Sequence, residues 1–164
     1  MSLSKKLNFV KGWPNPHINE FVGKMSSGQT ALEGAIAHRN SSGQWVLGVS
    51  AQNQLPYVLW NGADGDGDQG FTFSASQSYQ QTDWGGIQGV GFDNPIEFQT
   101  TRYSGTPVFG DSLYADTDGI LKICAGSASV SNKVIVATVT VGVTAIGGLS
   151  FITVVPDNSR RVTS

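Results

Sequence analysis

Charged side chains make up only 13% of the 164 residues, about half the share of an ordinary soluble domain. Cysteine is nearly missing as well. Cys124 stands alone, which excludes an intrachain disulfide. It lies in the apolar run 120–124, where a buried, inert thiol is expected. Two histidines, His17 and His38, sit far apart without carboxylate or thiol companions at metal-ligand spacing, so both read as ordinary surface or interface residues. No continuous apolar run approaches the roughly 18 residues of a membrane helix. The lysines at 5 and 6 have no apolar block behind them, so a secretory signal is not expected. Helical spacing is absent too, apart from a possible turn near 26–33.

What replaces these is 21 glycines and abundant Ser, Thr, Gln and Asn beside a 39% hydrophobic fraction. Such a surface has few charges to hold neighbours off, which suits a subunit covered in an assembly. Net charge is −2, unevenly spread. Residues 1–33 carry four lysines against two glutamates. Residues 34–121 carry two arginines against eight aspartates and one glutamate. Residues 122–164 carry two lysines and two arginines against one aspartate. An acidic body with basic ends is a poor nucleic-acid binder, because phosphate contact needs a clustered basic face. Arg160-Arg161 is too short for one. Ends of one copy meeting the body of the next is the charge-compatible alternative.

Along the chain, residues 1–25 read as an arm. Pro14 and Pro16 flank Asn15 behind Trp13 and forbid regular helix or central strand. Leu7, Phe9, Val10, Trp13, Ile18, Phe21 and Val22 make the arm greasy enough to lie against its own body or a neighbour. Residues 26–155 read as one domain. The turn cluster Asn40-Ser41-Ser42-Gly43 predicts a hairpin between 31–38 and 44–49. Further strands are expected at 55–60, 70–76, 95–102, 107–109, 113–115, 119–124, 133–143 and 148–155. In the run 95–102, Ile96, Phe98 and Thr100 alternate with Glu97, Gln99 and Thr101, the period of a half-buried strand. The run 133–141 is β-branched almost throughout. Residues 156–164 form a polar tail expected to extend freely or pair with a neighbour. The fold class is all-β, a small β-barrel or β-sandwich with an extended N-terminal arm and a short C-terminal tail.

Three motifs carry chemistry on paper. Gly110-Asp111-Ser112-Leu113 spells the GDSL-esterase signature, but both histidines precede Ser112 and none follows to take its proton. Asp64, Asp66 and Asp68 alternate as in an EF-hand opening. Gln69 and Ala75 stand where that loop needs glycine and glutamate, so a solvated acidic loop is expected, with weak Ca²⁺ binding as its alternative. Trp84, in a Gly-rich loop, is the best placed aromatic for stacking a sugar, whereas Trp45 and Trp60 lie in strands where core packing is the default. No catalytic residue, cofactor or metal is expected.

Glu97-Phe98-Gln99-Thr100-Thr101-Arg102-Tyr103, then Gly110-Asp111-Ser112-Leu113-Tyr114, then Asp118-Gly119-Ile120-Leu121, resembles the layout of tailed-phage head decoration (cement) proteins. Gly34-Ala35-Ile36-Ala37 and Val58-Leu59-Trp60 before the Asp-rich loop fit the same layout, as does the proline-containing arm. The resemblance implies a small β-barrel on the outer capsid surface of a virion. It would bind the major capsid protein, assemble as a homotrimer or dimer, and clamp neighbouring shell subunits without turnover, nucleic acid or membrane. The contact residues that follow are Phe9, Trp13, Pro14 and Pro16 of the arm, Asp64, Asp66 and Asp68 of the loop, and Arg160 and Arg161 of the tail. A carbohydrate-binding β-sandwich from a tail or fibre is the alternative.

Overall fold

The computed structural model describes residues 7–11, 20–32, 34–60, 72–74, 87–92, 96–124, 132–157 and 162–163. All regular structure among them is β: β1 Leu7–Lys11, β2 Glu20–Gly23, β3 Thr30–Leu32, β4 Ile36–Arg39, β5 Trp45–Leu47, β6 Tyr57–Trp60, β7 Thr72–Ser74, β8 Ile87–Gly91, β9 Glu97–Thr100, β10 Ser112–Ala115, β11 Leu121–Ile123, β12 Ile135–Ile146 and β13 Leu149–Pro156. Every ladder is antiparallel. A six-stranded sheet runs β1-β9-β13-β12-β10-β11, a five-stranded sheet runs β2-β8-β6-β4-β5, and β3 pairs with β7. The all-β class expected from the turn chemistry and alternation is therefore observed.

Local chemistry accounts for most elements. The 40–43 cluster turns the β4–β5 hairpin. The Asn40 side-chain carbonyl accepts the N–H groups of Ser42 and Gln44, each at 2.9 Å, and Gly43 takes a left-handed φ of 74°. Strand β9 alternates half-buried and buried residues, with Ile96, Phe98 and Thr100 inward as their spacing implies. Within the segment read as an arm, residues 7–11 and 20–23 are strands: β1 pairs with β9 and β2 with β8.

Four local expectations are corrected. Residues 107–109 are not a strand. The Asp111 carboxylate accepts the Val108 N–H at 2.9 Å, and Gly110 adopts a φ of 89°, so the chain turns there. The turn near 26–33 is not helical but a tight turn in which the Gln29 N–H donates to the Ser26 carbonyl at 3.2 Å, leading into strand β3. Strand β8, Ile87-Gln88-Gly89-Val90-Gly91, was not anticipated, because its glycines read as loop; it pairs on both sides, with β2 and β6. His38 is buried rather than superficial. At the C-terminus, Val162 bridges to Val134, and Thr163 exchanges backbone hydrogen bonds with Asn132 and Lys133, so these two residues pair with their own chain.

Two apolar clusters form the core. The smaller joins Met25, Ala37, Trp45, Tyr57 and Leu59 within the five-stranded sheet. Trp45 meets Tyr57 edge-on, with centroids 5.2 Å apart. The larger draws on both sheets, joining Ile36, Val58 and Phe92 to Phe98, Leu113, Leu121, Val136 and Ile152.

Backbone contacts lock the sheets together where the β10–β11 turn meets the β4–β5 hairpin. Ile36 N–H donates to the Gly119 carbonyl at 2.9 Å, and Val49 N–H donates to the Ala115 carbonyl at 3.1 Å. Gly48, at φ 82°, donates its own N–H to the Ile36 carbonyl. A Cβ there would collide with the Asp116 carbonyl. Gly119, at φ 76°, leaves only 3.0 Å between a would-be Cβ and the Ile36 carbonyl oxygen. Replacing Gly48 with alanine is expected to cost more than about 2 kcal/mol, since left-handed strain of about 1–2 kcal/mol adds to a backbone clash. Gly28, at φ 76° with open space around it, should lose only the strain. Urea denaturation of G48A and G28A checks this ordering; equal losses would contradict it.

Candidate functional site

The β10–β11 turn, Asp116-Thr117-Asp118-Gly119, holds the chain's main polar cluster among the described residues. Asp116 Oδ1 accepts the Thr117 N–H at 2.9 Å, and Asp118 Oδ1 accepts the Ile120 N–H at 3.0 Å. Lys122 Nζ reaches back to both carboxylates, at 2.9 Å to Asp116 and 3.1 Å to Asp118. Lys133 Nζ lies 3.9 Å from Asp116 and 5.2 Å above the Tyr114 ring. Hydrogen bonds from Lys122 and the Thr117 N–H hold the Asp116 carboxyl below the usual carboxylate range, and the Asp116 bond raises Lys122. The aspartates that carry the Asp-Gly-x-Leu resemblance thus close a hairpin turn.

Beside this turn is a concavity of about 220 Å³ lined by His38, Gly48, Ser50, Asp116, Asn132 and Lys133, among others. Several of its polar groups have partners within the chain. A carbonyl can only accept, so His38 Nδ1 donates to the Gly48 carbonyl at 2.7 Å. The Ser50 hydroxyl donates to Gln54 Oε1 at 3.2 Å. Asn132 sits at φ 59°, a conformation Asn tolerates better than most residues. The cavity reads as the seam between sheets, pinned by polar pairs.

Ser112 of the esterase-like tetrapeptide starts strand β10, opposite Thr138 in register, and its carbonyl accepts the Cys124 N–H at 2.8 Å. Asp111 is spent on the Val108 N–H, so the tetrapeptide is a turn followed by a strand. Burial pushes the Cys124 thiol up to about 11. Among the described residues no group of three His, Cys, Asp or Glu side chains could hold a metal. Trp45 is fully buried and has no face for a sugar.

The feature suited to a partner is an apolar face. Phe109 is 78% exposed, Val108 57%, Val141 47% and Val143 41%. The 107–110 turn lies against the strand that carries Val141 and Val143. Gly110 N–H donates to the Val139 carbonyl and Val139 N–H to the Asp111 carbonyl, each at 2.9 Å. At Gly142 a Cβ would lie 3.2 Å from the Pro107 carbonyl oxygen. The hairpin that carries this face has no charged residue between Lys133 and Asp157. Solvent reaches most residues from Val141 to Ser150.

Of the contact residues inferred from sequence, Phe9 stands opposite Phe98 in the β1–β9 ladder. Trp13, Pro14, Pro16, Asp64, Asp66, Asp68, Arg160 and Arg161 lie outside the described residues, as do Trp84 and His17. The face at 108–109 and 141–143 was not found from sequence, because alternating valines signal burial by default. Compared with known proteins, the chain matches no family model, no curated sequence and no solved structure.

The Asp116–Lys122 pair has a pH signature. Asp116 is depressed in the folded state, so its contribution is present above the ordinary carboxylate range and is lost as pH falls through the lowered value. The side chains are 28% and 29% exposed, so solvent screening limits the pair to about 1 kcal/mol or less. Lys122→Met should flatten the acid limb of the stability–pH curve by that amount and leave the curve's shape above neutrality unchanged. Thermal melts from pH 2 to 8 measure it; an unaltered acid limb would contradict the assignment.

Proposed function

We propose that the chain is a structural decoration protein of a bacteriophage head. It binds the outer capsid surface and stabilises contacts between major capsid subunits, working by area burial and without turnover. The observation that carries this reading is a set of exposed apolar side chains, Val108 and Phe109 on the 107–110 turn and Val141 and Val143 on the adjoining uncharged hairpin. Large apolar side chains left exposed in one region mark a surface suited to being covered, and the low overall charge offers little repulsion against covering it.

The architecture supports a rigid block. Tyr103, just beyond β9, bridges in parallel to Leu121 of β11, and Met25, just beyond β2, bridges in parallel to Trp45 of β5. Each bridge returns the far edge of a sheet to the continuation of an earlier strand, the connectivity of small closed β-barrels. Barrel closure leaves few moving parts, as a clamp under load requires. Self-association as a homotrimer multiplies individually weak contacts. The arm, the acidic loop and the basic tail, with Phe9, Trp13, Pro14, Pro16, Asp64, Asp66, Asp68, Arg160 and Arg161, supply further shell contacts in this reading.

Purified phage heads stripped of decoration protein provide the test. The wild-type chain should bind them saturably and raise their disruption temperature. Phe109→Ser and Val141→Ser, which touch exposed positions, should keep the melting temperature of the free protein within a few degrees yet weaken binding about tenfold or more. Undiminished binding by both variants, or no binding by the wild type, would contradict the proposal.

A further inference from the structure

The chain carries the same five-strand unit twice. The first unit is β2, β4, β5, β6 and β8; the second is β9, β10, β11, β12 and β13. Numbered within each unit, both have the spatial order first, fifth, fourth, second, third, and both return the third strand by a parallel bridge to the residues after the first. The bridges match bond for bond. Trp45 N–H donates to Lys24 and Ser26 N–H to Trp45; Leu121 N–H donates to Arg102 and Ser104 N–H to Leu121. The hairpin turns match likewise. Asn40 N–H reaches the Gln44 carbonyl and Gly43 N–H the Asn40 carbonyl; Asp116 N–H reaches Ile120 and Gly119 N–H reaches Asp116, with φ of 74° at Gly43 and 76° at Gly119.

Register carries the equivalence around the whole unit. Phe21↔Gly89 and Gly23↔Ile87 correspond to Phe98↔Val154 and Thr100↔Ile152. Val58↔Val90 corresponds to Thr138↔Val155, and Ile36↔Val58 corresponds to Ser112↔Thr138. The ladders depart from one another only locally: one extra residue lies between β9 and its bridged continuation, and β12 is bulged between Val139 and Val141. Ala37, Trp45 and Leu59 therefore fall on Leu113, Leu121 and Val139, and all six are fully buried.

The equivalence places β2 on β9, and the two strands begin alike: Glu20-Phe21 and Glu97-Phe98. The outer edge of β9 is taken by β1, which sets Lys11 opposite Glu97. Among the described residues the matching edge of β2 has no strand on it, and β1 ends its own sheet. The other sheet ends, β5 and β11, are bridged back. Among the described residues the two larger sheets thus keep one open edge each, one bearing Lys11 and the other Glu20.

We propose that these edges meet between copies: β1 of one chain pairs with β2 of the next, with Lys11 facing Glu20 as it faces Glu97 within the chain. Open edges are templates for strand addition. The seam joins unlike surfaces, so it propagates head to tail and closes as a ring if the rotation allows. It rests on the self-association included in the function proposed above and names the surface responsible.

The test uses full-length protein in a Cys124→Ser background. Lys11→Cys protein and Glu20→Cys protein are mixed and oxidised. An intermolecular disulfide joining the two substituted positions, in much higher yield than either protein gives alone, is expected. Glu20→Lys, which leaves the β1–β9 pair untouched, should weaken self-association at least about tenfold by light scattering while its near-UV circular dichroism stays native. A wild-type oligomer that survives Glu20→Lys without the cross-link would overturn this seam and leave shell binding standing. A wild-type monomer across the micromolar range would also overturn the seam, while failure to bind stripped heads, assayed separately, is what would remove the decoration reading.

Discussion

The structure depends on two glycines that let backbones of different sheets touch. Gly48 carries the chain past the Asp116 carbonyl with no room for a side chain, and Gly119 does the same beneath the Ile36 carbonyl. Both hold left-handed φ values, which cost a β-carbon about 1–2 kcal/mol even in open space. Around them gather the Ile36–Gly119 and Val49–Ala115 hydrogen bonds and the His38 bond to the Gly48 carbonyl. Without this approach the β10–β11 turn could not seat against the β4–β5 hairpin, and the larger core cluster would lose its continuity from Ile36 and Val58 to Leu113 and Leu121.

That joint also explains how two equivalent units become unlike. Ile36 and Val58 of the first unit are buried in the shared core, whereas their counterparts Ser112 and Thr138 are half-exposed and polar. The second unit instead carries the long β12–β13 hairpin, which runs past its paired core and leaves Val141 and Val143 exposed, next to the turn that carries Val108 and Phe109. One unit spends its outer face on intramolecular packing. The other keeps an apolar face outward, and the proposed shell contact is assigned to that second unit.

Much of the fold was legible because it is local chemistry. Asn40 to Gly43 and Asp116 to Gly119 turn hairpins where Asn, Asp and Gly predict them, and the β-branched run through Val139 forms the longest strand. Strand β8 was hidden because it supplies backbone hydrogen bonds to two neighbours and few side chains to a pattern. Residues 107–109 look like a strand, yet the Asp111 carboxylate captures the Val108 N–H and turns the chain. The candidate face was illegible for a related reason: alternation of valine with small residues reports a strand, and only the third dimension reports that nothing among the described residues covers it. The unit repeat was equally silent, since Trp45 and Leu121 occupy one position with different side chains and only the register relates them.

Hydrogen–deuterium exchange of the full chain, free and bound to phage heads, addresses the central claim of a rigid block that works by covering its apolar face. Backbone amides of 36–48 and 116–121 should be slow in both states, and those of 107–111 and 139–146 should gain protection on binding. Rapid exchange at the joint, or unchanged exchange at 107–111 and 139–146 in the bound state, would contradict it.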